Sequence, residues 1–175
     1  MIEQLLEKGM EHELILDGVL ASSESQPLQL WQFRESMLEG QRLHGEHLRT
    51  DISVPISAIP AFVSQASEVV MDASPDCEII AYGHIGDGNL HFNILPPSTL
   101  EEGAKHDHLH ALEMKLIEVL DSFDGSISAE HGIGRTKQAA YLSRLSPMEL
   151  EHARGIKTLF NPDGLMNAGR ILPCR

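Results

Sequence analysis

Short apolar stretches of period two alternate along this chain with longer ones of helical spacing, and polar or glycine-rich breaks separate them. The clearest period-two run is Asn89–Leu95, where Leu90, Phe92 and Ile94 share one face and His91 and Asn93 the other. Residues 78–82 read as a second strand. The glycine-rich connection at 83–88 is short enough to require antiparallel pairing of the two. Residues 48–54 alternate as a further strand, with Asp51 and Ser53 on one face and Ile52 and Val54 on the other. Short strands are also expected at 13–16 and 126–128, giving four or five in all.

The helical stripes are longer. Residues 1–10 form one amphipathic helix, and Leu28, Trp31, Met37 and Leu38 mark another. Ser57 is placed to cap a helix whose Ile59, Phe62, Val63, Ala66, Val69 and Val70 follow the 3.6 period. Ser98 with Glu101, and Ser146 with Glu149, have the spacing of capping boxes. The first predicts a helix to about Leu120. The second, with Pro147 at its first helical position, predicts one ending near Phe160. A shorter helix is expected at 134–142, loops at 22–27 and 44–47, and an irregular tail at 165–175. The sum is one α+β domain over residues 1–175: an antiparallel β-sheet with helices packed mainly on one face.

Composition narrows the function. With 175 residues, 42% of them hydrophobic, the chain can bury a core. A formal net charge of −13, spread along the sequence, argues against a nucleic-acid surface. No run reaches the roughly 18–20 apolar residues of a transmembrane segment, and the first helix is not a signal peptide. Cys77 and Cys174 form no disulfide framework and read as ordinary thiols of a reducing compartment, so a cytoplasmic location is expected.

Candidate chemistry gathers at two places. A hairpin returns His84 to the neighbourhood of His91, with Gly83, Gly86 and Gly88 leaving room for a ligand. Neutral imidazoles so placed suit zinc, manganese, iron or nickel. The same residues also read as ordinary hairpin histidines around a Gly-Asp-Gly turn. Glu130 supplies a third ligand type, and a His–His–Glu set leaves open positions for water or substrate. His131 beside it is a candidate general base, since imidazole titrates near neutral pH. The run Gly132 to Lys137 lacks a full phosphate-loop pattern and reads as a helix entry positioning Glu130 and His131. His106 and His110 share a helix face, which reads as solvated rather than metal-binding. Arg34 is either a structural ion pair or a fork for a carboxylate substrate.

The stretches Gly83-His84-Ile-Gly-Asp87-Gly88-Asn89-Leu90-His91, Ser128-Ala-Glu130-His131-Gly132-Ile-Gly134 and Asn161-Pro162-Asp-Gly164-Leu-Met-Asn167 occur in an order and spacing that resemble one family. It is the C-terminal domain of FAD-dependent D-2-hydroxyacid dehydrogenases of the vanillyl-alcohol oxidase type. D-lactate dehydrogenase, D-2-hydroxyglutarate dehydrogenase and the flavin subunit of glycolate oxidase share it. The resemblance extends to Trp31-x-x-Arg34-Glu35 and Asp51-x-Ser53-Val-Pro55.

It implies that His84, His91 and Glu130 ligate a divalent metal, zinc or manganese, and that His131 is the catalytic base. It implies substrate contacts from Arg34, Arg49 and Asn93, and a flavin contact from the tail at Asn167. The implied reaction oxidises a D-2-hydroxy acid to the 2-oxo acid, with hydride transfer to FAD. The implied partners are a separate FAD-binding domain, without which the chain is inactive, and a separate electron acceptor. The tail Asn167-Ala168-Gly169-Arg170 departs from the family's Asn-Pro-Gly-Lys. Leu38 and Arg49 stand where the hydroxyglutarate-type enzymes carry threonine and lysine. Rival readings are a metal-dependent hydrolase using the same ligands and a non-catalytic subunit that retains the fold.

Overall fold

The glycine-rich hairpin forms as its spacing requires. Strands β2 (Glu78–His84) and β3 (Asn89–Leu95) pair antiparallel from Glu78↔Leu95 to His84↔Asn89. The structure, a computed structural model, describes residues 2–43, 45–84 and 86–173, with the backbone alone of Leu38. The readings of His44, Ile85, Cys174 and the Leu38 side chain lie outside the described residues.

Strand β1 (Ile52–Ser53) flanks the other edge of β3, giving an antiparallel sheet of order β1-β3-β2. Single bridges extend it, Leu48↔Ile94 along β3 and Ser53↔Ser126 outside β1. Three strands are therefore present among the described residues, fewer than expected, and residues 126–128 contribute only that bridge. The strand expected at 13–16 does not form. Glu13 takes a left-handed φ of 57°, and Leu14 and Leu16 are 81% and 96% exposed. Four residues with no partner edge cannot hold a strand.

Two compact units make up the chain, Met1–Gly45 and Glu46–Arg175. The first consists of α1 (Ile2–Glu11), α2 (Gln26–Arg42) and the segment joining them. Pro27 sits in the first turn of α2, where its missing N–H costs nothing.

The second unit holds the sheet and its core. After a 3-10 turn at Ile56–Ala58, α3 (Ile59–Ala73) places Phe62, Ala66 and Val70 on one stripe. Helix α4 (Glu102–Ser122) does the same with Leu109, Leu112, Leu116 and Leu120. Both stripes bury against Ile52, Val54, Leu90, Phe92 and Ile94, the apolar face of the sheet. Phe62 meets Phe92 and Phe123 edge-on, with ring centroids 6.1 and 5.7 Å apart.

The opposite sheet face carries Tyr82, His84, Asn89, His91 and Asn93 by strand alternation. Helices α3 and α4 thus occupy one face and leave the polar one for chemistry. None of the described helices is long and apolar enough to cross a membrane.

Helix starts differ from the sequence reading where tertiary contacts intervene. Ala58, not Ser57, is the N-cap of α3. A turn closed by the Leu100 N–H on the Pro97 carbonyl takes Ser98 out of the helix entry, so α4 begins at Glu102. Helix α5 (Gln138–Arg144) begins four residues late because Gly132 and Gly134 adopt φ of 74° and 56°, which no helix tolerates. In α6 (Pro147–Phe160) the Ser146–Glu149 capping box forms with both its hydrogen bonds. On α4, His106 and His110 lie against Glu46 and Glu113 on exposed surface, as a solvated face should.

Candidate metal and catalytic site

Directly opposed residues of an antiparallel pair point to the same side of the sheet. The register sets His84 opposite Asn89 and Tyr82 opposite His91, so both histidines rise from the polar face. Glu130 arrives from the segment running outside β1. One ligand atom from each of His84, His91 and Glu130 lies within 4.8 Å of the others. Two nitrogens and a carboxylate at that spacing fit a single divalent ion with positions left open.

Thr50 fixes the chemistry of His91. Its carbonyl oxygen lies 3.1 Å from His91 Nδ1. A carbonyl only accepts, so Nδ1 carries the proton and Nε2 presents its lone pair to the site. The carbonyl is available because the ladder is interrupted. Leu48↔Ile94 and Ile52↔Leu90 bracket Thr50 opposite Phe92, in a row where two backbone bonds are expected. Instead the Thr50 hydroxyl accepts from the Phe92 N–H at 2.9 Å and donates to the Phe92 carbonyl at 3.0 Å. The Thr50 N–H then goes to Asn93 Oδ1 at 3.1 Å. Asn93 is buried beside His91 on the same strand face, with its carbonyl oxygen committed to Thr50.

Asp51 holds the other half of the site. Its carboxylate, 2% exposed, accepts from the backbone N–H of Glu130 at 3.0 Å and of His131 at 2.9 Å. The Ser128 hydroxyl and the Lys137 ammonium donate to it at 3.1 and 3.0 Å. The Asp51 backbone carbonyl accepts the Ala129 N–H as well. One buried side chain therefore sets the path of residues 128–131. Burial pushes the Asp51 pKa up, but the hydrogen bonds from His131, Lys137 and Glu130, with the charge of Lys137, outweigh it and hold the carboxyl well below the usual range.

His131 Nδ1 stands 3.6 Å from Asp51 Oδ2, its side chain is 68% exposed, and its ring centroid lies 6.3 Å from that of His91. Asp51, Glu130 and His131 form a second cluster of metal-ligand type. Four donors already occupy the Asp51 carboxylate, so His84, His91 and Glu130 are the better-suited set.

Three further residues were singled out in the sequence. Arg49 is exposed, next to Thr50, and borders a cavity of about 290 Å³ that Lys137 and Asp51 also line. Arg34 lies on α2 in the first unit. Asn167 is exposed with a left-handed φ of 49°. Its tail is fastened to the segment after His131. Arg135 donates to the Ala168 carbonyl, Gln138 to that of Gly169, and the Ile171 N–H to that of Gly134. Sequence reasoning gave no role to Asp51, Thr50 or Lys137. No local signal marked them, since Asp51 sits on the polar face of an alternating strand.

The depressed pKa of Asp51 has a consequence for pH. A carboxyl whose folded value lies below its unfolded one, about 4, contributes stability that is fully present above the unfolded value. That stability is lost as pH falls from there toward the folded value. Between about pH 4 and pH 2 the wild-type chain should lose Tm faster than Asp51→Asn, measured by circular dichroism. Parallel curves for the two would contradict this linkage.

The family model for FAD linked oxidases, C-terminal domain, matches residues 1–171. Among curated relatives, a D-2-hydroxyglutarate dehydrogenase of Stutzerimonas stutzeri is 39% identical over 165 residues, 94% of this chain and 35% of that protein. A D-2-hydroxyglutarate dehydrogenase of Xanthomonas citri is also 39% identical over 165 residues, with the same coverage. The mitochondrial D-2-hydroxyglutarate dehydrogenase of Danio rerio is 34% identical over 173 residues, 98% of this chain and 31% of that protein. The chain thus spans about a third of the length of these relatives.

Proposed function

Because the chain belongs to the family of FAD linked oxidase C-terminal domains, we propose that its polar sheet face is the substrate- and metal-binding side of a flavin-dependent dehydrogenase. The reaction is oxidation of a D-2-hydroxy acid to the 2-oxo acid. The relatives' name points to D-2-hydroxyglutarate as the first substrate to try. The observation that carries the reading is the convergence of His84, His91 and Glu130 beside a histidine with its own carboxylate partner.

His84, His91 and Glu130 would hold the divalent ion, zinc or manganese. When bound, the ion supplies Lewis acidity toward the substrate's oxygens, and FAD, from a flavin-binding domain, supplies the hydride acceptor. With Nδ1 turned to Asp51, His131 offers Nε2 to the substrate hydroxyl and takes its proton there. The Asp51 carboxylate stabilises the positive charge that arrives with that proton and keeps the ring oriented. Of the guanidinium forks expected for substrate carboxylates, Arg49 belongs to the unit that holds the metal ligands. The contact expected from Asn93 comes from the strand face it shares with His91, where its Oδ1 accepts the Thr50 N–H. A separate acceptor then takes the electrons.

Metal content of the purified chain, wild type beside His91→Ala, tests the ligand set by elemental analysis. Near-stoichiometric zinc or manganese in the wild type and loss in the variant are expected, and full occupancy in His91→Ala would refute the assignment. The substrate class is tested on the full-length flavoprotein. D-2-hydroxyglutarate should bleach its flavin absorbance without oxygen, and no bleaching by any D-2-hydroxy acid would overturn the proposed reaction.

A further inference from the structure

A buried amide on the polar sheet face has no partner among the described residues. Asn89 is 3% exposed, and neither its Oδ1 nor its Nδ2 makes a hydrogen bond among the described residues. Burying both ends of an amide unsatisfied is costly, so such a group in a native core calls for an explanation. Its register partner is His84, directly across the hairpin and on the same side of the sheet.

The two histidines of the site are treated unequally. His91 has the Thr50 carbonyl on its Nδ1, which fixes its tautomer. The His84 ring has no hydrogen bond or ion pair among the described residues. A metal-ligating imidazole presents a lone pair on one nitrogen and donates its N–H from the other, and that N–H almost always has an acceptor. The nearest acceptor in sequence register is the idle carbonyl oxygen of Asn89.

The backbone of Asn89 is held in place. Its N–H is held by Asp87 Oδ1 at 3.0 Å. Its carbonyl lies so close to Gly83 that a Cβ there would collide with it. What remains free to move is the pair of side chains, the His84 ring and the Asn89 amide.

We propose that Asn89 is the positioning residue of His84, its Oδ1 accepting the N–H of the ring nitrogen that does not face the metal. This rests on the reading of His84 as a ligand. Asn89 then does for His84 what the Thr50 carbonyl does for His91. One strand, β3, so carries a ligand at His91 and, two residues before it, the acceptor that orients the other.

The test uses the full chain with Co²⁺ as probe, whose visible absorption reports coordination. Asn89→Leu keeps the volume and removes the acceptor; Asn89→Asp keeps the acceptor. Asn89→Leu should bind Co²⁺ about 10–100-fold more weakly, while Asn89→Asp stays close to wild type. The metal-free Asn89→Leu chain should unfold at the same or a higher temperature, because an unpartnered amide has been removed. Weaker metal binding without lower stability is a signature that a merely structural role does not produce.

In the Zn²⁺-loaded wild type, ¹⁵N spectra should show one His84 tautomer with a slowly exchanging ring N–H, absent in Asn89→Leu. Should Asn89→Leu not fold, Asn89→Ala serves with the same expected loss of affinity. Wild-type affinity in the leucine or alanine variant overturns the positioning role. If His84→Ala loses Co²⁺ in that case, the ligand assignment stands and the role of Asn89 alone falls. If the wild-type chain binds no Co²⁺, both fall.

Discussion

Replacing Asp51 with alanine is expected to lower the stability of the second unit by about 3 kcal/mol, on the order of a 10 °C fall in Tm. The carboxylate is the common acceptor of two backbone N–H groups, a hydroxyl and the Lys137 ammonium, whose side chain is itself only 21% exposed. Its removal leaves a largely buried cation and two loop amides without their partner, which costs far more than the pair contributes as a net attraction. The loss should extend to the site, because residues 128–131 follow a path that Asp51 sets through both its side chain and its carbonyl. Co²⁺ affinity should therefore fall together with Tm. Asp51→Asn keeps the shape but not the charge and should lie between wild type and alanine. Thermal unfolding followed by circular dichroism decides the matter, and a Tm for Asp51→Ala within about 2 °C of wild type would remove Asp51 from this role.

How much of this was legible in the sequence depends on the range of the interaction. Leu90, Phe92 and Ile94 alternate with polar neighbours, and the six positions from His84 to Asn89 leave room only for a hairpin. The sheet's pairing, its apolar face and the meeting of His84 with His91 were therefore readable locally. So were the stripes of α3 and α4 and the box at Ser146, whose bonds lie within four residues of one another.

The rest depends on partners far along the chain. Asp51 looks like a solvent-facing strand residue until Lys137, 86 positions away, is known to reach it. Thr50 is an unmarked strand threonine, and only the three-dimensional register shows its hydroxyl standing in for the ladder. The same long-range pull explains the late start of α5. Lys137 is drawn to Asp51 just before the helix begins, and the glycines ahead of it turn the chain. Residues 13–16 fail in the opposite direction. Their apolar pattern is real, but a strand needs an edge, and the first unit contains only helices among its described elements.

The second large effect is expected at His131. In the full-length flavoprotein, His131→Ala should slow flavin reduction by about 10²- to 10⁴-fold, the usual contribution of a positioned general base, while the metal content stays unchanged. The two readouts separate because the ring is 68% exposed and its polar contact is with Asp51, so its removal opens no core cavity. The metal should stay because Glu130, the neighbouring ligand, is positioned through its own backbone N–H on Asp51 and not through the His131 ring. A hydrolase built on the same three ligands would show no flavin reduction at all, with or without His131. A non-catalytic subunit would leave the rate of its parent protein untouched by the change. Rapid-mixing absorbance of the flavin under anaerobic conditions, with metal analysis of the same samples, distinguishes these cases. Reduction at the wild-type rate in His131→Ala would end its assignment as the base. Loss of metal together with rate would instead make His131 part of the ligand set, and would turn attention back to the cluster it forms with Asp51 and Glu130.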